Sequence, residues 1–363
     1  MTVDSPGPPD EPLLRITDLH VTFDTPAGPA YAVRGVNLDV FPGEALAVVG
    51  ESGSGKSVSM LAVLGLLPTA HVSGSARLRG QELIGLDSAR LRRVRGAKIG
   101  LVFQDPMTSL NPVLTIGRQL HMVLRAHHPE MSKRATRLRS VELLDQVSIA
   151  QAARRCDSYP HELSGGMRQR VMIAMAIAND PEVLIADEPT TALDVTVQAQ
   201  IMDLLNRLQR EHELALVLIT HDLGVVAGSA DRIAVMYAGR VVEHGELAPA
   251  FADPGHPYTR ALLACLPRLD RRQEMQVSIP GLPPSPLALP PGCPFAPRCA
   301  FVVPDCLEHE PDLAAHGRTM IACSVFADTP VTTQPASTQP VSTQAASAQR
   351  PSTRSATETK TTQ

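Results

Sequence analysis

Short apolar runs punctuate the first two thirds of the chain: Ala45–Val49, Ile99–Phe103, Val183–Ala186 and Ala215–Thr220. Runs of four to six residues without polar alternation predict strands buried on both faces, as in a parallel sheet. Between them, apolar residues recur at helical spacing. Val58–Leu67 follows the first run and meets Pro68, which predicts a helix closed by that proline. Ser132 precedes Ala135, Leu138, Val141, Leu144 and Val147, the pattern of an N-capped amphipathic helix. Val171, Ala174 and Ile177 form the apolar face of another. Strands alternating with helices to about residue 250 predict an α/β fold.

Beyond that point the pattern breaks. From about 254 to 326, Pro and Cys accumulate, and Pro280, Pro283, Pro284, Pro286, Pro290 and Pro291 preclude any long helix or strand there. Asp328–Gln363 holds no Leu, Ile, Phe or Tyr, so it lacks apolar surface to offset its ordering entropy and is expected to be a disordered tail. The acidic, Pro-rich residues 1–12 are expected to be flexible.

Composition narrows the classes. With 44% hydrophobic residues the chain can bury a proper core. Thirty-three Lys and Arg stand against 37 Asp and Glu, a net charge of −4, which argues against a protein that binds nucleic acid by neutralising phosphates. Aromatic residues make up 3% with no Trp, which leaves little for base stacking. No apolar run approaches the roughly 20 residues of a membrane span. Met1–Pro12 shows no basic and apolar leader pattern, so the chain is expected in the cytosol, where cysteines are thiols or metal ligands rather than disulfides.

The chemistry is concentrated at the ends of the predicted strands. Ala45–Val49 runs into Gly50, Glu51, Ser52, Gly53, Ser54, Gly55, Lys56 and Ser57, with Val58 opening the next helix. Strand, glycine loop and helix in this order form a phosphate-binding P-loop. The glycines let successive N–H groups face the phosphates, and the helix N-terminus adds its partial positive charge. Lys56 can reach the β- and γ-phosphates and the Ser57 hydroxyl can ligate Mg²⁺. Val183–Ala186 delivers Asp187 and Glu188, with Asp187 placed for the Mg²⁺ shell through water and Glu188 to polarise an attacking water. Ala215–Thr220 delivers His221, a γ-phosphate contact, and Ile99–Phe103 delivers Gln104, which completes the Mg²⁺-facing set.

Leu163, Ser164, Gly165, Gly166 and Met167, continuing as Arg168-Gln169-Arg170, resemble the signature motif of the ATP-binding cassette (ABC) ATPases. The P-loop then resembles their Walker A, Asp187-Glu188 their Walker B, Gln104 the Q-loop, Ala192-Leu193-Asp194 the D-loop and His221 the switch histidine. The resemblance covers about residues 13–326. It implies a P-loop NTPase fold of the ABC type, with a RecA-like core and a helical subdomain at about 105–180 inside a domain at 13–253. It also implies an ATP-sandwiched dimer, because the signature of one subunit closes the P-loop site of another. Phe23 and Tyr31 both precede Walker A where the family carries an adenine-stacking aromatic. The 24–29 insertion obscures the register, and neither is assigned.

His256-Pro257-Tyr258-Thr259 is similar to an element of the oligopeptide/dipeptide importer ATPases, and the cysteine block after it strengthens the match over 254–326. Members of that group also serve nickel uptake. The resemblance implies an ATPase subunit on the cytoplasmic face of the membrane, paired with a second and distinct ATPase subunit, two permease subunits and an extracytoplasmic solute-binding protein. A soluble, non-transport ABC ATPase is the distant alternative. Cys293, Cys299, Cys306 and Cys323 are spaced C-x₅-C-x₆-C-x₁₆-C without the C-x₂-C pairs common in zinc sites. A Pro-rich segment with few large apolar residues needs something to hold it together, and a metal would do so. The family resemblance implies a four-iron, four-sulfur cluster. Zinc and a metal-free set of thiols remain open.

Overall fold

The computed structural model describes residues 11–191, 193–266 and 278–327. The expected tail from Asp328 onward, residues 1–10 and Ala192 of the D-loop lie outside them. Two sheets carry the described chain. The first is antiparallel, with β1 (Leu14–Thr25) between β2 (Gly28–Val40) and β4 (Ala70–Leu78), and β5 (Gln81–Glu82) on the far edge of β4. The second has a parallel centre of β3 (Ala45–Val49), β6 (Ile99–Val102), β7 (Val183–Asp187), β8 (Ala215–Thr220) and β9 (Arg232–Tyr237), ordered β9-β3-β8-β7-β6. The strands expected from the apolar runs are thus the centre of this sheet.

Side-chain alternation sorts these fully buried strands between two cores. Ala45, Ala47 and Val49, with Leu184, Ala186, Leu216 and Leu218, face the helices Ile116–His127, Lys133–Gln146 and Gly165–Ala176 through Leu120, Leu124, Leu143, Leu144 and Val171. Leu46 and Val48, with Val183, Ile185, Val217 and Ile219, face the antiparallel sheet and the helix Lys56–Val63 through Ile16, Val36, Met60 and Val63. A slip of one residue in any central strand would exchange its two faces, so packing on both sides holds the register.

Two local expectations are corrected. The helix after the glycine loop ends before Pro68: Leu64 is its C-cap and Gly65 (φ +59) takes the left-handed conformation that terminates helices. On helix Lys133–Gln146 Ser132 does cap, accepting from the Ala135 N–H at 3.1 Å. The buried stripe, however, is Thr136, Ser140, Leu143 and Leu144, and Leu138 is 56% exposed. Thr136 and Ser140 donate their hydroxyls back to the carbonyls of Ser132 (3.2 Å) and Thr136 (2.7 Å), and so can be buried without an orphaned polar atom.

The Pro- and Cys-rich region is built onto the second sheet. β10 (Arg240–Glu246) pairs antiparallel with β9, and the hairpin of β11 (Ala314–His316) and β12 (Thr319–Ile321) continues the sheet through Glu243↔Ile321 and Gly245↔Thr319. Between them lies helix Pro257–Ala264, with Pro at its first turn and His256 as its N-cap. Among the described residues no helix is long and apolar enough to cross a membrane.

Candidate functional site

The parallel strands end on one edge, and adjacency in the sheet brings their following residues together. β3 leads into the glycine loop, β6 into Gln104, β7 ends at Asp187 and is followed by Glu188, and β8 leads to His221. The Ser57 hydroxyl donates to Asp187 Oδ1 at 2.7 Å. Gln104 Nε2 donates to Glu188 Oε2 at 2.8 Å, and His221 Nδ1 lies 3.1 Å from Glu188 Oε1. Thr191, which the sequence patterns did not single out, adds a third partner by donating its hydroxyl to Glu188 Oε2 at 2.9 Å.

The loop itself is tightly built. Gly50 (φ +153) has no room for a side chain, since a Cβ would stand 2.2 Å from the Met236 carbonyl oxygen; at Gly55 it would meet Ala32 O at 2.5 Å. Lys56 is buried, and its ammonium donates to the carbonyls of Gly50 (2.8 Å) and Glu51 (2.9 Å) and lies 3.4 Å from Ser54 Oγ. Burial lowers the Lys56 pKa against the opposing pull of Glu188, Asp187 and Glu51. Burial raises that of Asp187, assisted by the charge of Glu188 and opposed by Ser57 and Lys56. At Glu188 burial also pushes upward, but hydrogen bonds from His221 and Thr191 and the charges of His221 and Lys56 outweigh it, so its carboxylate titrates below the usual range. Glu188 occupies left-handed backbone space (φ +45), held there by its N–H donating to Ile219 O at 2.8 Å.

The oxygens of Ser57 and Asp187 are a hard donor pair of the kind Mg²⁺ takes. Gln104, expected with them, is instead engaged on Glu188. The signature residues lie elsewhere. Leu163 is buried, and Ser164 caps helix Gly165–Ala176 by accepting from the Met167 N–H at 3.3 Å. A Cβ on Gly166 would stand 2.7 Å from Val197 Cγ1, and one on Gly165 3.6 Å from Leu193 Cδ2. Asp194 caps helix Val195–Glu211 by accepting from Val197 N–H at 2.9 Å. Among the described residues no hydrogen bond joins 163–167 to 50–58. Of the two undecided aromatics, Phe23 packs against the core, whereas Tyr31 is 47% exposed and adjoins Ala32, whose carbonyl faces Gly55.

The structure lends no support to the metal expectation for the cysteines. Cys293, Cys299, Cys306 and Cys323 do line one small cavity, but among the described residues no group of three or more His, Cys, Asp or Glu is arranged to hold a metal ion. Burial pushes the thiols of Cys299 and Cys323 upward and that of Cys293 to about 11, which favours neutral sulfur. The reasoning from cohesion missed what holds the region: sheet pairing through β12, a cluster of Tyr237, Tyr258 and Phe295 rings with centroids 4.6–5.4 Å apart, and two paired arginines. Arg34 grips Glu310 with two bonds of 2.8 Å, and Arg298 grips Glu51 of the glycine loop at 2.6 and 2.9 Å.

Two family models match this chain: "ABC transporter" over residues 33–191 and "Oligopeptide/dipeptide transporter, C-terminal region" over 242–306. It is 53% identical over 296 residues to the oligopeptide transport ATP-binding protein OppD of Haemophilus influenzae, covering 81% of this chain and 91% of that one. The chain belongs to the ABC transporter family of ATP-binding proteins. The Salmonella typhimurium protein of the same name is 51% identical, with 87% and 94% covered. The Mycobacterium tuberculosis OppD is 57% identical over 304 residues, and this ABC protein spans about half its length (50%). A dimeric ATP-binding cassette, MJ0796, solved in a post-hydrolysis state with ADP and Pi, matches with a TM-score of 0.58 at 33% identity, covering 64% of this chain and 98% of that one.

Proposed function

We propose that this protein is an ATP-hydrolysing subunit that powers import of di- or oligopeptides across the cytoplasmic membrane. The observation that carries the proposal is the binding of Glu188 by Gln104, His221 and Thr191 beside the Ser57–Asp187 pair, at the edge where the glycine loop opens. In this reading residues 50–58 bind the triphosphate, with Lys56 turning from the loop carbonyls to the phosphates. Mg²⁺ would be held by Ser57 and, through water, Asp187, and it supplies charge neutralisation at the phosphate oxygens. Glu188 stays ionised and therefore acts chiefly by accepting a hydrogen bond from the attacking water and orienting it, while His221 supports the γ-phosphate side.

Signature residues 163–167 and Asp194 act on nucleotide held by a second ATPase subunit, a distinct one. The separation of the signature from the glycine loop within one chain, and the dimeric cassette among the similar structures, support a second subunit; that it is a distinct one rests on the resemblance to the peptide importer ATPases. Two membrane permeases and an extracytoplasmic binding protein complete the assembly, with this subunit peripheral on the cytoplasmic face. The names of the relatives and the matched C-terminal model favour peptide cargo over nickel or another small solute. Tyr31 is the adenine-side aromatic. Iron, sulfide and zinc measured on anaerobically purified protein decide whether a metal joins the cysteine-lined cavity.

The test is Glu188→Gln, which keeps the hydrogen-bonding shape and removes the charge. ATP affinity is expected within about two-fold of wild type, with turnover down by about 10²–10⁴. Wild-type turnover would refute the role given to Glu188.

A further inference from the structure

The glycine loop is held from outside the cassette core, and every polar group of one of its residues is engaged. The Glu51 N–H donates to the Tyr258 hydroxyl at 2.8 Å. Its carbonyl accepts from Lys56 Nζ at 2.9 Å and from the Ser54 N–H at 3.2 Å. Its carboxylate takes both arms of Arg298 at 2.6 and 2.9 Å. Tyr258 and Arg298 both belong to the region after residue 253.

Arg298 is committed to this position. All five N–H donors of its guanidinium have acceptors: two on Glu51, one on the Tyr237 hydroxyl (3.1 Å), one on Ile279 O (3.3 Å) and one on Pro280 O (2.9 Å). Its side chain is 4% exposed, against 28% for Glu51. The hydrogen bonds it donates to Glu51 head the causes that hold the guanidinium firmly protonated, against burial. A surface ion pair contributes little, but this one is bidentate, sequestered and fixed at both ends.

Two consequences follow for a phosphate site. An unpaired carboxylate at position 51 would repel the incoming triphosphate, and Arg298 neutralises it. Lys56 must also leave the Gly50 and Glu51 carbonyls to reach a phosphate, and at that moment the loop loses an internal tie. Tyr258 and Arg298 are the anchors of residue 51 that nucleotide binding leaves in place.

We propose that Arg298, assisted by Tyr258, is a positioning residue for nucleotide: it holds Glu51 so that the glycine loop stays open to the phosphates, and the cysteine-lined region is thereby part of the ATP site. This rests on the glycine loop binding ATP, as proposed above.

The experiment measures ATP binding to the full-length chain, with KM and kcat in the assembled transporter. The variants are Arg298→Gln and Arg298→Lys. Glu310→Gln serves as control, since it weakens the pairs of Arg34 and Arg240 with the same region without touching the loop. Arg298→Gln is expected to weaken ATP binding and raise KM at least ten-fold, with kcat at saturating ATP within about two-fold. Arg298→Lys should rescue it only in part, because an ammonium cannot serve five acceptors in a plane. Glu310→Gln should lower thermal stability and leave ATP affinity unchanged.

Unchanged affinity in Arg298→Gln, or an equal loss in Glu310→Gln, overturns the proposal. If Arg298→Gln does not fold, Arg298→Lys, which keeps the charge but not the planar fork, decides: wild-type affinity there overturns it, and a loss of several-fold or more upholds it. Should wild type itself fail to bind ATP, the reading of the glycine loop fails, a result distinguishable from failure of the clamp.

Discussion

His256 is fully buried, and its Nδ1 accepts the Tyr258 N–H at 3.0 Å, which requires a neutral ring. Burial dominates its titration and lowers its pKa to about 3, with a backbone bond at Ala322 opposing and the charge of Arg260 assisting. The unfolded chain has an ordinary histidine near 6.5. A folded pKa below the unfolded one means that the unfolded state binds the proton first. Stability is therefore full above about pH 6.5 and is lost as pH falls towards 3. At pH 5 the linkage amounts to about 2 kcal/mol. Glu243, which accepts the Gly255 and His256 N–H groups at 2.9 Å each, has a pKa raised by burial, so its contribution to stability grows as pH falls and opposes that of His256. The informative quantity is thus the difference between wild type and His256→Asn, in which a competent N-cap that does not titrate replaces the ring. Denaturant unfolding at pH 7 and pH 5 should show wild type losing about 2 kcal/mol more than the variant over this interval. Equal losses in the two proteins would refute the argument.

Further outcomes follow from other parts of the structure. Tyr31→Ala should weaken ATP binding about ten-fold while Tyr31→Phe preserves it, as expected of base stacking; equal affinities in nucleotide titration would remove Tyr31 from the site. Gly50→Ala should cost more stability than Gly53→Ala, because a Cβ at Gly50 strikes the Met236 carbonyl whereas one at Gly53 meets nothing within 4 Å. At Gly53 only the left-handed strain of about 1–2 kcal/mol applies, and equal denaturation midpoints would contradict this. Cys293, with its thiol pushed up to about 11, should alkylate about a hundred-fold more slowly at pH 8 than a free thiol, and faster with each pH unit towards 11. Mass-spectrometric labelling at the free-thiol rate would show that the cavity does not bury it as described.

The strands and the loops at their ends were readable from the residues alone, because the signals are local. An unbroken apolar run needs burial on both faces, and a glycine loop between strand and helix permits few conformations other than a phosphate cradle. On helix Lys133–Gln146 hydropathy found Val141, Leu144 and Val147 but missed Thr136 and Ser140, which read as polar and become buried only by bonding to carbonyls one turn back. It placed a helix end at Pro68 that Gly65 had already made. It did not foresee the ring packing and ion pairs that hold the C-terminal region. The meeting of Gln104 and His221 on Glu188 depends on strand order, which no single segment encodes. The bond from Arg298 to Glu51 joins residues 247 apart, and its geometry exists only once β10 and β12 have extended the sheet and brought the Pro-rich region against the loop. Local sequence therefore determined which chemistry is present, and long-range closure decided which groups touch, because contact between distant residues is a property of the packed chain and not of either segment.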